Sequence, residues 1–140
     1  MPATIKIILD TNWYISATVN KNSRRKIFNL ISNKDLDILY SKELFAEYNT
    51  VIQRDKFKKY VSQHQVDRFL ILTIEELRKI KIKRKIGISR DPKDNYLLAM
   101  ALDRNADYLI TGDIHLLELK AIGKTLILTL YEFEKILLSI

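Results

Sequence analysis

Short apolar runs alternate with longer amphipathic runs along the chain, and the apolar runs predict buried strands. The segment from Thr4 to Leu9 is almost wholly apolar and rich in β-branched residues, which is typical of a strand buried on both faces. Runs of the same kind predict strands at Asp37–Tyr40, Asp107–Thr111 and Leu126–Leu128. The segment Lys79–Ile88 begins by alternating lysine with isoleucine, so we expect a strand with one buried and one exposed face.

The amphipathic runs between these strands predict helices, several of which begin at a recognisable capping residue. Ser23, Ser41 and Asp91 are predicted N-caps, because a side-chain oxygen at that position accepts a hydrogen bond from an unpaired helix amide. Thr129 and Glu132 have the spacing of a capping box. The predicted helices are Asn12–Ala17, the segment from the Ser23 cap to Asn33, Lys42–Arg54, Phe57–Tyr60, Gln63–Leu77, Pro92–Arg104 and Tyr131–Ser139.

The alternation of strands with helices predicts an α/β fold with a central, mainly parallel sheet and helices on both faces. We expect residues 1–140 to form a single domain, because a chain of this length commonly does. In such sheets, ligands bind beyond the carboxyl ends of the strands. Asp10 directly follows the first predicted strand, and Asp113 follows the strand at Asp107–Thr111, so both carboxylates are expected at that edge.

The composition narrows the chemistry that the protein can perform. It has no cysteine and two histidines that are far apart, which excludes disulfides and thiol catalysis and argues against a zinc site. A metal ion would have to be held by oxygen ligands, which favours Mg²⁺ or Mn²⁺. The chain begins without a signal peptide and has no apolar run of about 20 residues, so we expect a cytoplasmic protein that is not inserted in a membrane.

The net charge of +7 leaves two interpretations open. A basic surface suits nucleic acid, because each Lys or Arg beside a phosphate releases a condensed counterion; it also simply improves solubility. Lys81, Lys83, Arg84 and Arg25 are the candidate residues for contacting a nucleic-acid backbone. The alternative is that the lysines protect an edge strand from pairing with another chain, and that Arg25 lies on a solvated helix face.

Two further acids fall on helix faces that should be buried. Glu47 lies three residues after Leu44 and four before Val51, and Asp94 lies three and four residues before two leucines. A buried carboxylate costs several kcal/mol unless it is paired, protonated or bound to a cation. Like charges close together make ionisation harder still. A divalent cation with oxygen ligands removes both costs, so these acids indicate a Mg²⁺ or Mn²⁺ site.

Each acid also has a purely structural interpretation. Asp10 and Asp113 could cap the helices that follow their strands, and Asp94 could stabilise a helix start through the helix dipole. Glu47 could pair with a lysine. Asp91 is better explained as an N-cap, so it is at most a supporting residue of the site.

Four motifs lie in order along the chain, each at the end of the expected element. The motifs are Leu9-Asp10-Thr11-Asn12, the stretch from Ser41 to Tyr48, Asp91-Pro92-Lys93-Asp94-Asn95, and Thr111-Gly112-Asp113. No single motif is specific, but together they resemble a PIN domain. The resemblance is to the branch that contains VapC-like toxins of toxin–antitoxin systems, and it covers nearly the whole chain.

This resemblance implies a Rossmann-like fold and an endoribonuclease that depends on Mg²⁺ or Mn²⁺. Asp10, Asp94 and Asp113 would hold one or two metal ions, and Glu47 would orient or deprotonate a water molecule. Asn12 and Thr111 match the polar residues that flank the acids in the family. The family also implies an RNA substrate, a possible protein antitoxin and a homodimer.

Rival functions remain open at this point. A phosphatase with an aspartate nucleophile also has an acid after its first strand, but it needs a second acid two residues later, where this chain has Asn12. A phosphoacceptor domain does not explain Glu47. An RNA-binding domain without activity is the non-enzymatic alternative, and the presence of all four acids argues against it.

Overall fold

The structure, a computed structural model, describes residues 4–84 and 94–140 and contains a mixed sheet of six strands within them. The strand order is β3-β2-β1-β4-β6-β5, and every neighbouring pair is parallel except β5 with β6. This confirms the predicted α/β fold with a mainly parallel sheet. The strands are β1 (Ile5–Leu9), β2 (Leu36–Tyr40), β3 (Arg78–Lys79), β4 (Tyr108–Ile110), β5 (Ala121–Ile122) and β6 (Thr125–Leu128).

Eight helices flank the sheet in the described part of the chain. Two of the predicted helix starts are confirmed by their hydrogen bonds: the Ser41 hydroxyl accepts from the Leu44 amide at 3.2 Å, and Thr129 and Glu132 form the capping box. The helices are α1 (Thr11–Val19), α2 (Lys21–Ser32), α3 (Lys42–Ile52), α4 (Asp55–Lys58), α5 (Gln63–Ile74), α6 (Asn95–Arg104), α7 (Ile114–Leu119) and α8 (Leu130–Ser139).

The direction in which successive strands are added to the sheet reverses at β1, which has β2 on one side and β4 on the other. The chain runs outward from β1 through β2 to β3 and then returns to β4, on the opposite side of β1. Right-handed crossovers in opposite directions place their helices on opposite faces of the sheet. The reversal leaves a crevice beyond the carboxyl ends of β1 and β4, the usual ligand position in such folds.

The core lies around β1 because this strand is buried on both faces. Ile7, Ile8 and Leu9 have no exposed surface, and neither do Leu109 and Phe133. A fully buried leucine or isoleucine contributes roughly 1.5–3 kcal/mol. The apolar run that predicted the first strand is thus the centre of the core. None of the helices in the described ranges is long and apolar enough to cross a membrane.

The strand predicted at Lys79–Ile88 is wrong over most of its described part. β3 ends at Lys79, and the backbone amides of Lys83 and Arg84 donate to the Asp103 carboxylate at 2.6 and 3.2 Å. Hydrogen bonds to a side chain of α6 therefore replace the ladder that alternation predicted. The rest of the predicted strand lies outside the described residues, as do Asp91 and Pro92.

One other local prediction needs correction. The N-cap of α2 is Asn20, whose side chain accepts from the amides of Asn22 and Ser23, so Ser23 is inside the helix and is not its cap. The sequence pattern predicts neither β5 nor the bounds of α7, because each element is too short to show a periodic pattern.

Candidate functional site

Asp10 lies in the crevice beyond the carboxyl ends of β1 and β4, where it contacts the last residue of β4 and the residue after it. Its backbone amide donates to the Ile110 carbonyl at 2.9 Å, which continues the β1–β4 pairing by one residue. Its Oδ2 atom accepts a hydrogen bond of 2.6 Å from the Thr111 hydroxyl. Asp10 is only 5% exposed and Thr111 is fully buried. Thr111 therefore holds the carboxylate of Asp10 in place, and its supporting role in a functional site remains a prediction.

Helix capping explains little of the position of Asp10. Its Oδ1 atom accepts from the Asn12 amide at 3.5 Å, which is long for such a bond. The predicted supporting residue Asn12 makes this contact through its backbone, while its side chain is exposed. The capping interpretation thus accounts for a weak contact of one oxygen and not for burial of the carboxylate.

Asp113 is the second carboxylate of the crevice, and it does cap a helix. Its Oδ1 atom accepts from the amides of His115 and Leu116 at the start of α7, at 2.7 and 3.4 Å. Its own amide donates to the Thr111 hydroxyl at 3.0 Å. Thr111 thus contacts both Asp10 and Asp113, and we call these three residues and the space between them the acidic crevice.

The acidic crevice opposes the ionisation of Asp10. Burial raises the pKa of Asp10 above its ordinary value, and the nearby charge of Asp113 raises it further. Hydrogen bonds from Thr111 and from the backbone lower the pKa but do not cancel the effect of burial. A site with these properties favours positive charge nearby, because a cation stabilises the ionised carboxylate.

Asp94 lies at the start of α6, a helix that packs against β1, β4 and α3. It is 8% exposed, and its Oδ2 atom is buried. The helix-start interpretation is only partly supported: Asp94 occupies the N-cap position, yet its side chain makes no capping hydrogen bond. Asp94 is therefore a second buried carboxylate on an element that contacts β1.

Glu47 is half-buried on α3, and its side chain hydrogen bonds with the hydroxyl of Tyr96. The same hydroxyl lies 2.6 Å from the Oγ1 atom of Thr11, the residue that follows Asp10. Burial raises the pKa of Tyr96 above its ordinary value, and the neighbouring charges of Glu47 and Asp10 add to this effect. Tyr96 thus lies between Glu47 and the Asp10 end of β1.

Tyr96 is the residue of this site that sequence reasoning missed. It comes two residues after Asp94, and the sequence pattern around it is that of an ordinary, partly buried helix residue. What connects Tyr96 to the site is its hydrogen bond with Thr11, and Thr11 is 85 residues away in the sequence. A cleft of about 300 Å³ adjoins Tyr96 and is lined by Glu43, Glu47, Thr50, Val51, Arg54 and Tyr96.

None of the basic candidates forms an ion pair with Asp10 or Asp113 in the described part of the chain. Arg84 pairs with Asp103, with 3.0 Å between Nε and Oδ1, and Lys83 contacts the same carboxylate through its amide. Asp103 is nine residues after Asp94, about 13 Å along the helix axis. Lys81 and Arg25 are exposed. That these four residues contact a nucleic-acid backbone remains a prediction.

The chemistry of the site fits an oxygen-bound divalent cation, although no complete cage is preformed. Asp10 and Asp94 are buried carboxylates, and Asp113 adds a third beside Asp10. Across residues 4–84 and 94–140, no group of three or more His, Cys, Asp or Glu side chains is close enough to hold an ion as it stands. That the four acids bind one ion together remains a prediction, and Asp91 lies outside the described residues.

Comparison with known proteins agrees with this fold. A family model described as PIN domain matches residues 6–115, a stretch that begins in β1 and ends in α7. The chain therefore belongs to the PIN domain family. The match includes Asp10, Glu47, Asp94 and Asp113.

Two similar proteins give this membership a context. The uncharacterized protein MJ1680 of Methanocaldococcus jannaschii is 28% identical over 124 residues, covering 87% of this chain and 79% of that protein. A chain in the crystal structure of VapBC2 from Rickettsia felis, bound to a DNA fragment from their promoter, has a similar fold. Its TM-score is 0.56 at 21% identity, and the match covers 88% of this chain and 97% of that one.

Proposed function

We propose that this chain is an endoribonuclease that depends on Mg²⁺ or Mn²⁺ and uses the carboxylates of Asp10, Glu47, Asp94 and Asp113. The observation that carries the proposal is the buried carboxylate of Asp10, held by Thr111 in the acidic crevice beside Asp113. Membership of the PIN domain family supports a nuclease. The all-oxygen donor set supports a hard divalent cation as cofactor.

The four acids have distinct roles in this proposal. Asp10 and Asp94 hold the cation because they are the most buried of the four, and Asp113 contributes directly or through water. When bound, such a cation neutralises charge on the phosphodiester and makes water more acidic. Glu47 is more accessible and adjoins the cleft, so it orients the attacking water and accepts its proton. Asn12 and Thr111 support Asp10.

The biological setting that we propose is a toxin–antitoxin pair. The similarity of fold to a chain of VapBC2 supports a protein antitoxin as partner, and RNA is the proposed substrate. A homodimer is the expected assembly. Exposed Lys81, Lys83 and Arg25 are candidates for contacting the RNA backbone outside the crevice, and Arg84 is a weaker candidate because of its pairing with Asp103.

The decisive experiment incubates RNA with wild-type protein and with Asp10→Asn, in Mn²⁺ and in a chelator. We expect cleavage by the wild type in Mn²⁺, none in the chelator, and a loss of at least about 100-fold in the variant, since an aligned ligand or general base contributes that much. Asp37→Asn is the matched control, because Asp37 pairs with Arg78 away from the crevice. Cleavage that persists in both the chelator and Asp10→Asn rules the proposal out.

A further inference from the structure

The hydroxyl of Tyr96 joins the two sides of the proposed site. It faces Glu47 of α3 in a cleft that both residues line, within reach of a hydrogen bond, and it lies 2.6 Å from Thr11 Oγ1 at the start of α1. Thr11 is 1% exposed, so its hydroxyl has little access to water. Tyr96 itself belongs to α6, so one oxygen atom connects three helices beside Asp10.

The direction of these two hydrogen bonds follows from counting protons. Ionised Glu47 carries no proton, so the proton in its bond with Tyr96 is that of the tyrosine. Tyr96 must then accept from Thr11, whose hydroxyl donates. A bond from a neutral hydroxyl to a carboxylate is stronger and shorter than one between neutral groups, and it fixes the carboxylate in orientation.

We infer that Tyr96 is a positioning residue for Glu47, holding its carboxylate beside the start of α1, which follows Asp10. Thr11 holds the Tyr96 hydroxyl in turn, so the chain Thr11–Tyr96–Glu47 ties the acid on α3 to the end of β1. This inference rests on the proposed function, in which Glu47 orients water. It adds two residues, Tyr96 and Thr11, that act through Glu47 without touching the substrate.

The first test compares Tyr96→Phe with Tyr48→Phe. Tyr48 forms a hydrogen bond of the same length, 2.6 Å, with Thr18 outside the site. Tyr96→Phe should lower kcat for RNA cleavage by about 10- to 100-fold, as for other residues that orient a catalytic group, and leave KM nearly unchanged. Tyr48→Phe should keep kcat within about twofold although it also loses a hydrogen bond. Equal kcat values for Tyr96→Phe and the wild type would overturn the inference.

A double-mutant cycle separates positioning from mere structural support. Because Tyr96 acts through Glu47, adding Tyr96→Phe to Glu47→Gln should change kcat by no more than about twofold, compared with the larger effect in the wild type. Full additivity of the two losses would show that Tyr96 does not act through Glu47, and it would reject the inference.

Thr11 provides a second pair of variants in case Tyr96→Phe does not fold. Thr11→Ser keeps the donating hydroxyl and should retain kcat, whereas Thr11→Val has nearly the same shape and should lose about tenfold. Equal rates for the two variants contradict the inference. If the wild type itself shows no Mn²⁺-dependent cleavage, the proposed function fails; if the wild type cleaves and the Tyr96 and Thr11 variants match it, this inference fails alone.

Discussion

Asp10 is a carboxylate in a place that favours a neutral group. It is 5% exposed, and burial together with the charge of Asp113 raises its pKa, while Thr111 donates one short hydrogen bond. Above the raised pKa, the folded chain must keep an ionised group in the crevice at a cost to stability. In the proposed function, the role of Asp10 therefore opposes stability as long as no cation is bound.

The cost predicts that Asp10→Asn is more stable than the wild type in the absence of metal. Because the pKa is higher in the folded than in the unfolded chain, the cost is present at pH 7 and vanishes below about pH 4, where both states are protonated. We expect a gain on the order of 1 kcal/mol at pH 7, and none at pH 3.5. Urea unfolding of the two proteins in a chelator at both pH values measures this difference in the free energy of unfolding.

When metal is bound, the wild type should be more stable than Asp10→Asn. Adding Mn²⁺ at pH 7 should raise the unfolding midpoint of the wild type, because a ligand that binds only the folded state stabilises it. It should leave Asp10→Asn nearly unchanged. A variant that is less stable than the wild type in the chelator would show that burial of Asp10 is not costly.

At the scale of the elements, the sequence pattern predicts the N-caps of some helices correctly and that of α2 wrongly. Ser41 and Thr129 cap α3 and α8 as their sequences indicate. At α2, the pattern pointed to Ser23, but Asn20 caps the helix and also ends α1. The first turn of α2 contains no acidic residue to favour the helix dipole, so Asn20 is its main source of stabilisation there.

This arrangement predicts different effects for two alanine substitutions. Asn20→Ala removes an acceptor of two amide hydrogen bonds, at 2.8 and 3.1 Å, and should lower the free energy of unfolding by about 1 kcal/mol. Ser23→Ala should change it by less than about 0.5 kcal/mol. Denaturant midpoints of the two variants give the comparison. A larger loss for Ser23→Ala would restore the sequence-based assignment of the cap.

At the scale of the whole molecule, the chain carries a net charge of +7. Exposed Lys81 and Arg25 lie on different elements, and Arg84 is held by Asp103. In the proposed function, the carboxylates of the acidic crevice repel the RNA backbone unless a cation is bound, so exposed basic residues would supply the attraction to RNA.

The charge distribution predicts that RNA binding weakens steeply with salt. Asp10→Asn in Mn²⁺-free buffer allows binding to be measured without cleavage. Each phosphate contact contributes roughly 0.7 to the slope of log K against log salt on single-stranded RNA, so Lys81→Ala or Arg25→Ala should reduce the slope by that amount if the residue touches a phosphate. Lys135→Ala is the control, because Lys135 lies over the Tyr131 ring on α8. Salt-independent binding would contradict the prediction.

Much of the fold could be predicted because its signals are local. The run from Ile5 to Leu9 is a strand on composition alone, and the capping boxes and caps involve residues within three positions of each other. Within the described residues 79–84, the strand predicted from alternation is wrong because the amides of Lys83 and Arg84 bond with Asp103, about twenty residues away, and the sequence contains no sign of that partner. The site acids were predicted as strand-end and helix-face residues, but Tyr96 was not.

The sequence by itself determined the types of element, the oxygen-only chemistry of the donors and the position of Asp10 and Asp113 at strand ends. These follow from composition and from rules that act within a few residues. Only the tertiary structure decided that β4 lies beside β1, so that Thr111 reaches Asp10 across 101 residues and Thr11 reaches Tyr96 across 85. The physical reason is that the order of strands minimises exposed apolar surface of the whole sheet, a property of the entire chain that no short segment contains.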